Sequence, residues 1–216
     1  MIKNELKKRI ISSLLLIPIV FFVIVEGSIL FNLFIFVCLI ITAYEWFQMS
    51  KANIQKIFGL FFLIISFYTI YKIRNDFDQH YFHFLMIVII CVSTDMGGYI
   101  FGKLLKGPRL TKWSPNKTYA GAIGSFILAI TISILFFELT LKIHNFRFET
   151  ETFIFVLAVS LVSQIGDIII SYFKRLSKIK DTGNIIPGHG GILDRIDGMI
   201  FAYPFSYLVF LNWNFQ

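Results

Sequence analysis

Residues 152–173 read TFIFVLAVSLVSQIGDIIISYF, an apolar run in which Asp167 is the one charged side chain. A helix that crosses a bilayer needs roughly 20 mostly apolar residues. Backbone exposed to lipid must be helical unless the chain closes a barrel, and barrel strands alternate apolar with polar residues, which this run does not. The stretch therefore predicts a transmembrane helix.

Six further apolar runs lie on either side of it, at 10–25, 29–46, 57–73, 82–103, 119–138 and 198–212. The 216-residue chain is 56% hydrophobic and 15% charged, whereas soluble domains carry about 25% charged residues. We therefore predict an all-α fold. It is a polytopic transmembrane helical bundle of about seven spans, forming a single membrane domain over residues 1–216.

The positive charges fall mainly on one side of this bundle. If the N-terminus is cytoplasmic, the inner segments hold 16 of the 20 Lys and Arg residues and the outer segments hold four. Such an excess marks cytoplasmic loops, so we predict a multi-pass protein of the cell inner (plasma) membrane with a cytoplasmic N-terminus. The two longest polar loops, 104–118 and 174–197, then both face the cytoplasm. We attribute the net charge of +7 to this orientation and to anionic lipid, and we expect no nucleic-acid partner.

Asp167 is the first candidate functional residue, because a carboxylate in a spanning helix costs roughly 2.5–3.5 kcal/mol on insertion scales. Ser160, Gln164, Asp167 and Ser171 recur in steps of three and four, so they share one face of the helix. A polar stripe of this kind can also hold helices together. That role does not explain a carboxylate leading into a Lys-Arg pair, so we favour a functional role for Asp167.

Asp95 is a second carboxylate inside a predicted span. It is a candidate site residue or the partner of a buried cation. Gly98 and Gly102 follow it with a spacing of four, which permits close approach between helices. We interpret these two glycines as packing residues.

Residues 171–197 read SYFKRLSKIKDTGNIIPGHGGILDRID and combine cations, glycines and acids. Lys and Arg grip phosphate oxygens, and glycines let backbone N–H groups approach an anion. Asp194 and Asp197 are three residues apart, hence on one helical face, and carboxylate oxygens suit Mg²⁺. Together with Asp167 they form a candidate set for one or two metal ions. Lys178 is most simply interpreted as ordinary cytoplasmic charge.

The other cytoplasmic loop ends in a second group of candidate residues. Ser114, Lys117 and Thr118 lie just before the run 119–138, where the free N–H groups of a helix N-terminus can bind phosphate. We predict that these three residues bind substrate and form a second wall of the same pocket.

The segment 171–197 resembles the phosphatidate cytidylyltransferase (CDP-diacylglycerol synthase) family. It fits the pattern S-x-[apolar]-K-R-x₄-K-D-x-G-x₂-I-P-x-H-G-G-x₂-D-R-x-D with every fixed position in register. The S-x₂-G-D at 163–167 and the S-P-x-K-T at 114–118 are also similar to segments of this family. The resemblance covers residues 93–200, and the N-terminal helices are similar only as apolar helices.

The resemblance implies that CTP and phosphatidate react to give CDP-diacylglycerol and pyrophosphate, a step of phospholipid biosynthesis. It implies Mg²⁺ as the cofactor, with a second metal ion and a homodimer left open. The implied catalytic residues are Lys174, Arg175, Lys180, Asp181, His189 and Arg195, with His189 a hydrogen-bond partner for phosphate or pyrophosphate. The implied substrate contacts include Ser171, Gly190 and Gly191. The implied metal ligands are Asp167, Asp194 and Asp197.

Two other functions are weighed against this one. A CTP-dependent lipid kinase, such as a polyprenol kinase, resembles the family in its membrane core but moves the γ-phosphoryl group and releases CDP. A secondary transporter could use Asp95 and Asp167 as a proton relay, but it leaves 171–197 unexplained. CDP-alcohol phosphotransferases are disfavoured because their D-G-x₂-A-R…D-x₃-D pattern is absent. Serine hydrolase and P-loop motifs are absent as well.

Overall fold

A computed structural model describes residues 2–76, 81–144, 149–186, 188 and 190–212, with side chains described from residue 14 onward except at 141–144. The helices in these ranges are α1 (Ile2–Glu26), α2 (Ser28–Met49), α3 (Asn53–Asp76), α4 (Phe82–Leu105), α5 (Tyr119–His144), α6 (Thr150–Leu176), α7 (Leu193–Ile196) and α8 (Met199–Asn212). The described ranges contain no β-strand, only two isolated bridges. The predicted all-α fold is confirmed.

Five of these helices, α2 to α6, are long and apolar enough to cross a membrane, and Leu14–Glu26 and Met199–Asn212 are shorter apolar helices. Each predicted apolar run corresponds to one of these seven elements. Many large apolar side chains point outward, with Ile29 75% and Leu139 77% exposed. An outward apolar surface of this extent suits contact with lipid, so the chain is a multi-pass membrane protein.

The first of two compact units comprises Met1–Tyr81 and Phe173–Asp197. Trp46 joins its helices: the indole Nε1 donates to the Gln55 carbonyl at 3.1 Å across the α2–α3 turn. The Trp46 ring also meets the Phe173 ring edge-on, with centroids 5.1 Å apart. The end of α2 is therefore tied to α3 and to the last turn of α6.

The C-terminal end of α1 is held by Arg74 of α3, in the same unit. The Arg74 guanidinium donates to the carbonyls of Ile24 at 2.8 Å and Val25 at 3.2 Å. Helix ends leave such carbonyls without intrahelical partners. This buried arginine, one of the four cations predicted on the outer side, thus satisfies the end of α1.

The second unit comprises Phe82–Tyr172 and Gly198–Gln216, and glycines set the close approach of α4 to α5. A Cβ built at Gly97 would lie 2.6 Å from the Gly124 carbonyl oxygen, and one built at Gly121 would lie 2.7 Å from the Gly98 carbonyl oxygen. One at Gly102 would lie 3.7 Å from the Gly121 Cα. The interpretation of Gly98 and Gly102 as packing residues is confirmed.

Polar side chains also join helices in this second unit. Thr94 of α4 donates to the Ser160 hydroxyl of α6 at 2.8 Å, and Ser125 of α5 donates to the Thr94 carbonyl at 2.7 Å. Ser160, the first member of the α6 polar stripe, therefore holds helices together. Helix association was the alternative role considered for the polar stripe, and the structure supports that role at the N-terminal end of the stripe.

Candidate active site

In the first unit, Lys174 lies in the last turn of α6 and is the centre of an acidic cluster. Its Nζ atom is 3.0 Å from Asp194 Oδ1 and 3.9 Å from Asp197 Oδ2. Lys174 and Asp197 are nearly buried, at 9% and 8% exposed. The three-residue spacing across the single turn α7 directs both carboxylates at one ammonium group. The structure therefore brings together three of the predicted site residues.

The second oxygen of Asp194 organises the glycine-rich turn. Asp194 Oδ2 accepts hydrogen bonds from the backbone N–H groups of Thr182 at 2.7 Å and Gly191 at 3.0 Å. Burial by itself raises the pKa of Asp194, but the Lys174 charge and these hydrogen bonds outweigh it and hold the pKa below its ordinary value. Gly190 has a φ of +87°, and a Cβ there would lie 2.8 Å from Asp194 Oδ2, so glycine is required at this position.

The same segment is held from the other side by Glu45 of α2, within the first unit. Glu45 is 2% exposed, and its carboxylate accepts three hydrogen bonds. The donors are the Thr182 hydroxyl at 3.0 Å, the Ile192 N–H at 2.9 Å and the Leu193 N–H at 2.8 Å. A spanning helix thus anchors the turn that carries Asp194.

Four other predicted residues of this loop are exposed: Arg175, Lys180, Asp181 and Arg195. Arg175 donates to the Ile179 carbonyl at 3.2 Å, which ties the end of α6 to the segment that follows it. Lys178 has a φ of +58° and follows the last turn of that helix, as expected of a helix C-terminal residue. His189 lies outside the described residues, as does Pro187.

In the second unit, Asp167 pairs with Lys117 from the loop that precedes α5. Lys117 Nζ lies 2.5 Å from Asp167 Oδ2 and 3.5 Å from the Gln164 carbonyl oxygen. The Ser171 hydroxyl donates to Asp167 Oδ1 at 3.2 Å, since residues four apart face each other on a helix. Three more predicted site residues are therefore in contact: Asp167 and Ser171 of α6, and Lys117 of the loop before α5.

Gln164 adds a free donor beside this pair. Its side-chain Nε2 is buried and has no hydrogen-bond partner among the described residues. A buried polar group left without a partner is costly. The Gln164 Nε2 group is therefore a candidate donor to a polar group of a bound ligand.

The other two predicted substrate contacts of the second unit shape the loop itself. The Thr118 hydroxyl accepts the Gly121 N–H at 3.0 Å, which makes Thr118 the N-cap of α5. Ser114 lies in a turn in which its N–H donates to the Thr111 hydroxyl at 3.1 Å and its carbonyl accepts the Lys117 N–H at 3.1 Å. These bonds fix the backbone that presents the Lys117 side chain. Asp95 is exposed on α4.

The carboxylates predicted to bind Mg²⁺ are compatible with a cation. Asp194 and Asp197 converge on one ammonium group, and Asp167 faces another. Among the described residues no three His, Cys, Asp or Glu side chains are grouped closely enough to hold a metal. The assignment of Mg²⁺ to these aspartates stays a prediction.

Glu45 was missed by the sequence reasoning, although a usable signal was present. It stands near the end of the apolar run 29–46, and the test that selected Asp95 and Asp167, a carboxylate inside a predicted span, would also have selected it. Its hydrogen-bond partners are 137 to 148 residues away along the chain. No spacing rule could have linked them.

Comparison with known proteins defines the class to which this site belongs. Residues 7–76 and 54–213 match the Cytidylyltransferase family, and the chain belongs to that family. Among curated relatives it is 32% identical over 214 residues to a phosphatidate cytidylyltransferase of Rickettsia bellii, covering 96% of this chain and 91% of the relative. It is also 36% identical over 151 residues to a phosphatidate cytidylyltransferase of Brucella melitensis, covering 69% of this chain and 54% of the relative.

Proposed function

We propose that this protein transfers the CMP group of CTP to phosphatidate, giving CDP-diacylglycerol and pyrophosphate. Membership of the Cytidylyltransferase family and the relatives that share nearly the full chain support this activity. The structural observation that carries it is the Lys174–Asp194–Asp197 cluster. It lies at the mouth of a membrane helix, where a lipid headgroup and a soluble nucleotide can meet.

The reaction needs charge neutralisation more than proton transfer. An oxygen of the lipid phosphate forms the new bond to the α-phosphorus of CTP. The bond from that phosphorus to the bridging oxygen breaks, and its electron pair leaves with pyrophosphate. Because the attacking phosphate is already an anion, no strong general base is required. The protein has to hold two mutually repelling anions in line.

Each of the two units contains one lysine that is suited to binding a phosphate group. Lys174 is buried against two carboxylates, and the half-buried Lys117 is paired with one, so both ammonium groups are positioned before substrate binds. We assign Lys174 and Lys117 to substrate phosphates, with the exposed Arg175, Lys180 and Arg195 as further phosphate contacts. Fixed charges of this kind need no reorganisation during the reaction.

Mg²⁺ belongs to the proposal as cofactor, and its candidate ligands are the neighbouring Asp194 and Asp197 of the first unit and, separately, Asp167 of the second. When bound, it neutralises triphosphate charge and stabilises the leaving pyrophosphate. Asp194 is hydrogen-bonded to Lys174 and to the glycine-rich turn, and Asp167 is paired with Lys117, which supports a role for these two aspartates in positioning the lysines.

The proposed location is the bacterial inner membrane, with the loops 104–118 and 174–197 facing the cytoplasm. The excess of Lys and Arg in these loops supports this orientation. CTP is available on that side only.

The activity is tested by supplying purified protein with CTP, phosphatidate and Mg²⁺ in detergent micelles and following pyrophosphate release. We expect release that requires both substrates and equals the CDP-diacylglycerol formed. Protein that is folded but forms no lipid product under these conditions would overturn the proposal.

A further inference from the structure

Glu45 is a buried carboxylate on a spanning helix to which the proposed chemistry gives no role. We infer that Glu45 is a positioning residue for CMP transfer, holding the turn 182–193 in the geometry that presents Asp194 and Lys174. This inference rests on the proposed function for its kinetic consequences, while its structural part can be measured without any substrate.

The first support is the completeness of the Glu45 contacts. Oε1 accepts the Ile192 N–H, and Oε2 accepts both the Leu193 N–H and the Thr182 hydroxyl. These donors lie at the two ends of the glycine-rich turn, so one rigid carboxylate fixes the distance between them. Charge-assisted hydrogen bonds of this type are about twice as strong as neutral ones.

The second support is that Glu45 and Asp194 hold the same residue in different ways. The Thr182 hydroxyl donates a hydrogen bond to Glu45, and the Thr182 backbone N–H donates one to Asp194. Asp194 in turn holds the Lys174 ammonium group. The contacts therefore run without a break from Glu45 through Thr182 and Asp194 to Lys174, all within the first unit.

The third support is the space left for the Glu45 carboxylate. A Cβ built at Gly191 would collide with Glu45 Oε2 and the Thr182 hydroxyl, and one built at Gly183 would lie 2.8 Å from Glu45 Oε1. Two glycines of the loop thus let the backbone close around this carboxylate. Gly183 and Gly191 are therefore explained by the space that the Glu45 carboxylate needs, without reference to a bound phosphate.

The consequence for catalysis is geometric. A displacement of about 1 Å at a reacting group can cost roughly 100-fold in rate. If Glu45 no longer accepts these bonds, the turn loses one of its two anchors and Lys174 is held less firmly. CTP binding, which the exposed cations also support, is affected less than turnover.

Glu45→Gln tests this inference, because the amide is nearly the same size but places an NH₂ group against N–H donors. We expect kcat for CMP transfer to fall about 10- to 100-fold while KM for CTP changes less than about threefold. Glu26→Gln is the matched control, since Glu26 is an exposed carboxylate in the same unit, and we expect wild-type kinetics. Trypsin cleavage after the exposed Lys178 and Lys180 should accelerate in Glu45→Gln only.

Thr182 supplies a second test that holds even if Glu45→Gln does not fold. Thr182→Ser keeps the hydroxyl and should retain kcat within about threefold, whereas Thr182→Val should lower it about tenfold. The double variant Glu45→Gln/Thr182→Val should be little worse than Glu45→Gln alone, because the Thr182 hydroxyl acts through the Glu45 carboxylate that Glu45→Gln has already removed. Two results would overturn the inference. One is an equal kcat for Thr182→Ser and Thr182→Val, and the other is a Glu45→Gln protein with wild-type kcat and a wild-type rate of tryptic cleavage.

The two proposals fail in different ways. A wild-type protein without lipid product contradicts the proposed function, and the tryptic comparison still decides whether Glu45 holds the turn. An active wild type matched by Glu45→Gln contradicts this inference alone.

Discussion

Lys117 and Asp167 are 50 residues apart in sequence, yet the lysine Nζ lies 2.5 Å from the carboxylate Oδ2. The pair joins the loop before α5 to the middle of the α6 polar stripe. The sequence predicted both residues for the site but in separate roles, one as a phosphate contact and one as a metal ligand. Their contact makes each responsible for the position of the other.

Removing the Lys117 charge should impair turnover strongly. In Lys117→Met the Asp167 carboxylate keeps only the Ser171 hydroxyl of its two side-chain partners, and a fixed positive charge is lost from the site. We expect kcat to fall roughly 100-fold, with Lys117→Arg retaining more activity than Lys117→Met. Lys112→Met is the control, because Lys112 is exposed in the same loop. Equal losses in Lys117→Met and Lys112→Met would contradict the assignment.

Asp167→Asn and Asp194→Asn should each abolish turnover while leaving the protein folded in the membrane. Both substitutions keep the shape of the side chain but remove the negative charge that we assign to the metal and to a lysine. Activity and folded yield from detergent extracts are measured together. Turnover within a fewfold of wild type in either variant would contradict the metal assignment.

The glycine-rich turn should loosen only in strong acid. The pKa of Asp194 lies below its ordinary value of 3.8, so its stabilising effect is fully present above that pH and is lost as the pH falls through the lower folded value. Hydrogen exchange at the Thr182 and Gly191 amides, corrected for intrinsic rates, should show constant protection above pH 3.8 and declining protection below it. A decline between about pH 4 and 6 would mean that the Asp194 pKa is raised instead.

The α4–α5 contact should not tolerate a side chain at Gly121. A Cβ at this position would already lie 2.7 Å from the Gly98 carbonyl oxygen, so Gly121→Leu forces the helices apart. We expect a loss of about 1–3 kcal/mol in stability or more, seen as a lower melting temperature in detergent. Ile123→Leu is the control, because Ile123 is 62% exposed on the same helix. An unchanged melting temperature for Gly121→Leu would show that the helices do not pack this closely.

The fold was predictable because transmembrane helices are encoded locally. Each apolar run became one helix, since lipid leaves the backbone no other hydrogen-bond partners. The grouping of Asp194 with Asp197 was predictable for a similar reason, as a spacing of three places both on one side of a helical turn.

What the sequence could not supply were the contacts between distant segments. Lys174 was predicted as a phosphate ligand, and its burial between two carboxylates depends on how the chain turns back after α6. Glu45 reaches the turn from α2, and that contact depends on helix packing, which apolar periodicity leaves undetermined. The polar stripe on α6 divides in the structure: Ser160 joins helices, whereas Asp167 contacts Ser171 and Lys117, which are also predicted site residues.

The fate of labelled CTP tests the central claim most directly. Purified protein is given phosphatidate, Mg²⁺ and CTP labelled at either the α- or the γ-phosphorus, and the lipid fraction is counted. We expect the α-label to enter lipid and the γ-label to leave as pyrophosphate. Recovery of the γ-label in lipid, with release of CDP, would contradict the account and identify a CTP-dependent lipid kinase instead.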